Sequence, residues 1–295
     1  MANFRTKVKK AAICSSVVLG TAFTVMSIIA SKQRKSNKYN NTNDQNPMYK
    51  KRVKFVENES EPENADGKRG HLEAIGDSSY TPTFYDRYIK RSLDIILSFG
   101  GMVVLAPVYA VTAIAIKIDD PGPVFFKQKR ISQHNGYFDV IKLRSMSVNT
   151  PDDVPTHMLK NGGVTRVGAV IRRTSIDELG QLWNIFRSDM SIIGPRPALW
   201  NQDYLTAERD KYGANDVKPG LTGLAQAHGR DELEISDKAK LDGEYAAALK
   251  KSSWSGLKMD IKVFVDSVKA VLKSDGVVEG GTGVIHKQKE KVSAE

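Results

Sequence analysis

The first feature of the sequence is a long apolar run near its amino end. Residues 11–30 are twenty consecutive residues without a charge, and basic side chains precede them. About 20 apolar residues suffice to cross a bilayer as a helix. The alternative is a cleavable signal peptide, but the run is long for one, and Ile28-Ile29-Ala30 lacks the small residue expected three before the cut. The pattern favours a membrane anchor over residues 1–35.

A second uncharged run covers residues 95–116, which is 22 residues and long enough to span a bilayer. Pro107 lies at its middle, where it removes a helical hydrogen bond, and Gly100-Gly101 weakens the helix further. A straight span and a bent helix that enters and leaves by one face therefore both stay open. A buried core helix is disfavoured, because such a helix normally keeps a polar stripe.

The segment between the two runs is polar and shows no sustained period of 2 or 3.6. It predicts a disordered linker over residues 36–83, because too little apolar surface is present to offset the entropy of ordering. Its basic stretch Lys50-Lys51-Arg52 with Lys54 either lies on anionic lipid or is simply solvated.

The pattern changes after residue 119. A turn-dense break at 119–123 precedes two short strands, Val124–Ile131 and Tyr137–Leu143, which predict a β-hairpin. Apolar residues then recur at helical spacing over 176–186 and 257–272. The last helix has basic residues on its other faces, and we expect it to pack on the core rather than lie in the membrane interface. The fold class is α+β, mainly helical.

Charge and cysteine content limit the possible partners. The net charge of +10 suits nucleic acid, anionic lipid or a phosphorylated substrate, but two apolar runs argue against a nucleic-acid binder. The single cysteine, Cys14, excludes an intramolecular disulfide and a cysteine-based zinc site.

The densest candidate chemistry lies in residues 172–182, where arginines precede Asp177 and Glu178. Ser175 and Glu178 have the spacing of a capping box, a purely structural explanation. The same geometry suits catalysis, because a carboxylate at a helix start keeps a low pKa and stays nucleophilic while arginines neutralise phosphate. Two adjacent carboxylates also suit Mg²⁺, and Mn²⁺ is the other candidate ion.

A second cluster follows at residues 189–197. Prolines on both sides of Arg196 fix the local backbone and present this arginine as a phosphate ligand, although a rigid turn explains the motif equally well. The turn at 218–226 contains glycines that let backbone approach a ligand or another segment. No chemical role follows for that turn.

Residues 85–276 resemble the bacterial sugar transferases, also called monotopic phosphoglycosyl transferases. The similar motifs are Arg-Arg-Thr-Ser-Ile-Asp-Glu-Leu at 172–179, Gly-Pro-Arg-Pro at 194–197, Lys-Leu-Arg-Ser-Met at 142–146, Gly-Pro-Val-Phe-Phe at 122–126 and the turn at 218–226. Two positions depart from the family pattern. Gly180 replaces a usual proline and predicts a looser helix start, and Ser132 replaces a common glycine in the hairpin turn.

The resemblance implies a two-step transfer of sugar-1-phosphate from a UDP-sugar to undecaprenyl or another polyprenyl phosphate, with Asp177 as nucleophile. Such a transfer initiates the assembly of exopolysaccharide, capsule or another glycan. The resemblance also implies that Glu178 helps to hold Mg²⁺, and that the Pro107 helix re-enters the membrane and leaves the catalytic domain in the cytoplasm. The phosphate-binding candidates are Arg172, Arg196, Lys142 and Arg144. The expected partners are the two substrates, the bilayer of the cell membrane and downstream glycosyltransferases.

The resulting division of the chain is an anchor, a linker, a re-entrant helix, a catalytic domain and a flexible tail, at residues 1–35, 36–83, 84–118, 119–276 and 277–295. The chief alternative is a membrane-tethered scaffold of a polysaccharide assembly system without catalysis. The retained pair of Asp177 and Glu178 argues against it. An aspartyl-phosphate phosphatase is disfavoured because acid-rich metal sites beyond this pair are lacking.

Overall fold

The computed structural model describes residues 39, 46–150, 163–229 and 233–272. The predicted anchor at 1–35 and tail at 277–295 lie outside these residues and stay predictions. The helices are α1 (Arg91–Val104, continuing a π-helical turn at Tyr85–Lys90), α2 (Ala106–Asp119), α3 (Arg166–Arg173), α4 (Gln181–Arg187), α5 (Asp203–Lys211), α6 (Leu224–Ala227), α7 (Ile235–Lys251) and α8 (Ser253–Leu272). Short 3-10 turns cover Gln133–Asn135, Ile176–Gly180 and Ala214–Asp216.

The strands of the described residues form small two-stranded sheets. They are β1 (Lys51–Glu57), β2 (Gly70–Asp77), β3 (Phe125–Ile131), β4 (Tyr137–Leu143), β5 (Ser191–Ile193) and β6 (Gly220–Thr222). The pairs β1–β2 and β3–β4 are antiparallel, and β5–β6 is parallel. This mixture of helices and small sheets confirms the predicted combination of α and β structure.

The predicted hairpin at 124–143 is confirmed, with seven residue pairs from Phe125↔Leu143 to Ile131↔Tyr137. Its turn does not need a glycine at Ser132, whose φ of −104° is ordinary extended backbone. The left-handed positions are His134 and Asn135, with φ of 58° and 56°. Asparagine tolerates this conformation well, so the departure at Ser132 leaves the turn intact.

The prediction of a disordered linker is wrong for residues 46–83, because β1 and β2 form an ordered hairpin on α5. Periodicity missed the hairpin because polar contacts hold it. Only Val53 and Ala65 are buried apolar residues there, while Arg52 binds Asp216 at 2.6 Å. Within the basic stretch, Lys51 and Lys54 pair with acids of β2 at the surface.

Helices α1 and α2 form one bent apolar unit. No single helix among the described residues is long and apolar enough to cross a membrane, but this pair passes that test together and bends by 59°. The break lies at Leu105, and Pro107 is in the first turn of α2, where its missing N–H costs nothing. Buried positions include Asp94, Ser98 and Thr112, whereas the exposed ones are mostly apolar.

The last helix, α8, packs on the core as expected, with Val263 in a core cluster and Met259 against it, but most of its predicted apolar stripe does not face that core. Its buried residues are Gly256, Asp260 and Val263. The apolar positions Ile261, Phe264, Val265, Val268 and Leu272 are all exposed. Helical period alone identifies an apolar stripe but not the surface that covers it, and here the described part of the protein leaves it uncovered.

Buried polar contacts join α8 to the start of the bent pair. Lys90 binds Asp260 at 2.7 Å, with both side chains buried. The hydroxyls of Tyr85 and Tyr245 donate to the same carboxylate at 2.7 and 2.8 Å. This network ties α8 and α7 to the segment that leads into α1.

Candidate active site

Asp177 and Glu178 lie in the 3-10 turn Ile176–Gly180, which leads directly into α4. The capping box predicted for Ser175 is wrong. Ser175 adopts a left-handed conformation with φ of 55°, and its side chain caps nothing. A left-handed residue reverses the chain between α3 and this turn, which aims both acids at the β3–β4 hairpin.

Gly180 has a packing role that its helix propensity does not indicate. A Cβ at this position would lie 2.7 Å from the carbonyl oxygen of Ile141. The glycine therefore lets the turn approach the backbone of β4 closely. This contact sets the two carboxylates beside Lys142, the next residue of that strand.

Two basic side chains meet the carboxylates. Lys142 Nζ lies 3.5 Å from Asp177 Oδ2 and 3.4 Å from Glu178 Oε1. Arg196 Nη2 donates to Glu178 Oε1 at 2.7 Å. The structure thus brings together four of the predicted site residues from three separate segments of the chain.

The other two predicted phosphate-binding arginines, Arg172 and Arg144, differ in their relation to the carboxylates. The positive charge of Arg172 acts on Asp177 and helps to lower the pKa of that carboxyl. Arg144 does not join the cluster. Its buried guanidinium contacts the carbonyl oxygen and the carboxylate of Asp120, at the end of α2. The reason is that β4 ends at Leu143, so the strand alternation that would place Arg144 on the face of Lys142 stops there.

The two acids differ in protonation behaviour. Burial raises the pKa of Asp177, and the charge of Lys142 opposes this only in part. Burial also acts to raise the pKa of Glu178, but the charges of Arg196 and Lys142 outweigh it and hold that pKa at about 2. The low pKa expected for Asp177 from a helix start is wrong, because desolvation is the larger effect.

Sequence reasoning missed Arg130, which shares a face of the β3–β4 hairpin with Lys142. Its Nη1 donates to the carbonyl oxygen of Pro197 at 3.0 Å, and its other nitrogens bind the side chain of Gln128. Burial and the charge of Arg196 lower the pKa of Arg130 to about 9. In the sequence of β3, nothing distinguishes Arg130 from the neighbouring basic residues Lys127 and Lys129.

The backbone around Arg196 is held at every carbonyl from 195 to 198. The donors are, in that order, the amide of Gly220 at 2.8 Å, Arg209 Nη1 at 2.8 Å, Arg130 Nη1 at 3.0 Å and the amide of Ile131 at 2.9 Å. These donors belong to β6, α5 and β3. The prolines predicted a rigid turn, and the structure adds that three other elements fix its position.

The turn at 218–226 gains a structural explanation. A Cβ on Gly220 would lie 2.1 Å from the amide nitrogen of Gly194, and one on Gly223 would lie 2.3 Å from the Gly194 carbonyl oxygen. The two glycines let this turn pack directly on the backbone that leads to Arg196. The turn thus helps to fix the backbone that carries Arg196.

Comparison with known proteins agrees with this arrangement. The profile of the bacterial sugar transferase family matches residues 85–274. A UDP-glucose:undecaprenyl-phosphate glucose-1-phosphate transferase of Caulobacter vibrioides is 37% identical over 194 residues, which cover 63% of this chain and 70% of that protein. The protein of the same name from Escherichia coli is 39% identical over 168 residues, or 54% of this chain and 36% of that one.

A third relative is named for a different sugar. It is the UDP-N-acetylgalactosamine-undecaprenyl-phosphate N-acetylgalactosaminephosphotransferase of Aeromonas hydrophila, 32% identical over 214 residues, or 71% of this chain and 49% of that one. The chain therefore spans less than half of the Escherichia and Aeromonas proteins. The family profile covers more than half of this chain and all of the carboxylate and cation cluster. The chain belongs to the bacterial sugar transferase family.

Proposed function

We propose that this protein transfers a sugar-1-phosphate from a UDP-sugar to undecaprenyl phosphate. The observation that carries the proposal is the composition of the candidate site. Asp177 and Glu178 lie among four cationic side chains, those of Lys142, Arg196, Arg172 and Arg130. The cationic excess suits a diphosphate, whose charge must be neutralised before a carboxylate can attack it.

In the proposed first step, a carboxylate oxygen of Asp177 attacks the sugar-proximal phosphorus. A phosphorus–oxygen bond to Asp177 forms, the bond to the bridging oxygen breaks, and UMP leaves with that electron pair. In the second step, a phosphate oxygen of undecaprenyl phosphate attacks the same phosphorus and frees Asp177. Glu178 stays ionised through both steps and orients Arg196 and Lys142 toward the phosphates.

The carboxylates also suit Mg²⁺ or Mn²⁺. Among the described residues, no group of three or more His, Cys, Asp and Glu side chains could hold a metal. Mg²⁺ commonly binds through one or two carboxylates together with substrate phosphates, so Asp177 and Glu178 fit an ion that arrives with the diphosphate. Such an ion would supply further neutralisation of phosphate charge.

We also propose that the protein lies in the cytoplasmic membrane with its catalytic domain in the cytoplasm. The outer faces of α1, α2 and α8 expose apolar side chains, among them Ile96, Val104, Val111, Ile118, Phe264 and Leu272. Together they favour insertion into lipid. Tyr109 of α2 donates to the carbonyl oxygen of Leu179 at 2.6 Å, so the carboxylates lie beside the bent pair, where a lipid phosphate can reach them.

A direct assay tests the proposed activity. Membranes containing the protein are incubated with undecaprenyl phosphate and a panel of UDP-sugars, and UMP and lipid-linked sugar are measured. We expect UMP release with at least one UDP-hexose or its N-acetyl derivative. A scaffold without catalysis would give neither product with any donor.

Lys142→Met is expected to move the acid limb of the pH dependence of kcat/KM to higher pH. Lys142 is the largest influence that lowers the pKa of Asp177, so its loss raises that pKa further. Attack requires the ionised carboxylate, and activity is therefore lost as pH falls through this pKa. The limb should lie above the ordinary aspartate value of about 3.9 in the wild type and higher still in the variant.

The measurement is initial UMP release across the acid range, at saturating divalent metal for both proteins. Lys127→Met is the matched control, since Lys127 is an exposed residue of β3. It should leave the limb in place. An acid limb at the same pH in Lys142→Met and wild type would refute the assignment of that limb to Asp177.

Pro107→Leu is expected to straighten the bent pair into a spanning helix and to separate its two ends across the membrane. The reason is that in a continuous helix the ring of Pro107 would clash with the carbonyl of Val103, and leucine removes this obstacle at the 59° bend. Cysteines placed at Thr81 and Pro121, in a Cys14→Ser background, report the sides of the two ends by labelling with an impermeant reagent.

Pro123→Leu, in the turn after α2, is the control for this substitution, and it should leave both ends on one side of the membrane. Labelling of both ends from the same side in the wild type and in the Pro107→Leu variant alike would show that proline does not determine the bend.

A further inference from the structure

The N-terminal hairpin β1–β2 lies outside residues 85–274, which match the family, yet it contacts the catalytic domain through buried charges. Arg52 Nη2 binds Asp216 Oδ2 at 2.6 Å, and this carboxylate is fully buried. The amide of Val53 donates to Asp210 Oδ2 at 2.8 Å, and Arg52 Nη1 is 3.5 Å from Asp210 Oδ1. The hairpin therefore holds the carboxyl end of α5.

The next residue of α5 toward its start, Arg209, points to the candidate active site. Its Nη1 donates to the carbonyl oxygen of Arg196 at 2.8 Å, while Nε and Nη2 bind Asp242 Oδ2 at 2.8 and 2.6 Å. Adjacent residues of a helix point about 100° apart. Asp210 of α5 therefore contacts the hairpin, while Arg209 contacts the backbone of Arg196. Neighbouring residues of one helix thus make the contact to the hairpin and the contact to Arg196.

From these contacts we propose that Arg209 is a positioning residue for Arg196 and that the N-terminal hairpin, through Arg52, holds α5 in the position this requires. The inference rests on the proposed function, because Arg196 is taken to contact the donor diphosphate. Arg52 itself touches no substrate. The hairpin acts on the site through α5. The 46–83 segment therefore contributes to the position of Arg196 and so to activity.

The buried pair of Arg209 and Asp242 is a poor first target. Removing either partner leaves the other charge buried without compensation, which threatens folding. Arg52 is the better target, because its side chain is 27% exposed and Asp216 keeps Ser78 and Lys250 as partners in its absence. Lys54→Gln is the matched control, since Lys54 lies on the same strand but pairs with Glu73 on the surface.

The test is a double-mutant cycle on kcat/KM for UMP release. Arg52→Gln should reduce kcat/KM about tenfold in the wild-type background, with a rise in KM for the UDP-sugar. In an Arg196→Ala background, itself lowered about a hundredfold, the same change should have almost no further effect. Arg52→Lys should recover part of the loss, because it keeps a cation beside Asp216. Lys54→Gln should change neither background.

An equal fall in both backgrounds would assign Arg52 a general structural role and overturn the inference. So would unchanged kinetics of Arg52→Gln in the wild-type background. If Arg209→Lys folds, it should show the same dependence on Arg196. Failure of the proposed function is distinguishable, because the wild type itself would then release no UMP from any donor.

Discussion

Asp177→Asn is expected to leave the protein folded and to reduce UMP release by at least about a thousandfold, because an amide cannot form the acyl phosphate. Asparagine keeps the size of the side chain. Burial raises the pKa of Asp177, so the folded protein bears a cost for its negative charge. We therefore expect a melting temperature equal to or slightly above that of the wild type. A structural helix cap would behave in the opposite way, with near-normal turnover and a lower melting temperature.

A labelling experiment distinguishes a covalent role of Asp177 from a purely electrostatic one. With a donor radiolabelled in the sugar-phosphate and no lipid acceptor, the wild type should carry label in a hydroxylamine-sensitive bond, and Asp177→Asn should not. Asp237→Asn is the control, because Asp237 is an exposed acid that pairs only loosely with Lys240 at 3.4 Å. Appreciable turnover in Asp177→Asn, or a wild type that never carries label, would rule out the covalent role.

The parts of the site that could be predicted from sequence are those contained in short contiguous motifs. Asp177, Glu178 and Arg172 belong to one such motif, and Arg196 lies between two prolines that mark it. Lys142 was found through the family resemblance and does contact both acids. The family itself was predicted from these motifs, and the match over residues 85–274 confirms it.

What sequence could not supply is the set of contacts made between distant segments. Arg130 enters the site only through the register of β3 on β4, and Arg209 only through the packing of α5. The motif indicates a lowered pKa for Asp177 because it contains only the helix start. Burial raises that pKa instead. Burial depends on the whole domain, and a local motif does not contain it.

Both errors in the predicted fold come from the limits of apolar periodicity as a signal. The hairpin at 51–77 lacks apolar alternation because salt bridges and backbone contacts hold it, so a test for apolar period finds nothing. The stripe on α8 has a regular helical period but is exposed. Periodicity reports that a surface is apolar, and a lipid bilayer satisfies that requirement as well as a protein core does.

Removal of divalent metal is expected to lower UMP release by at least about a hundredfold, since neutralisation of phosphate charge contributes several kcal/mol to such transfers. Asp177 and Glu178 alone make a weak site, because Lys142 lies within 3.5 Å of both and competes for their charge. We therefore expect binding of Mg²⁺ to depend on the donor. The metal concentration that gives half-maximal activity should fall as the concentration of UDP-sugar rises.

The measurement is UMP release in excess EDTA, followed by addition of Mg²⁺ or Mn²⁺ beyond the chelator. Activity should return with either ion. Glu178→Gln is the informative variant, because it removes one of the two negative charges available to the metal. It also replaces the carboxylate that accepts from Arg196 at 2.7 Å. It should need more metal for half-maximal activity, while the exposed control Asp237→Asn should not. Full turnover in excess chelator would show that Lys142, Arg196, Arg172 and Arg130 neutralise the diphosphate without a metal.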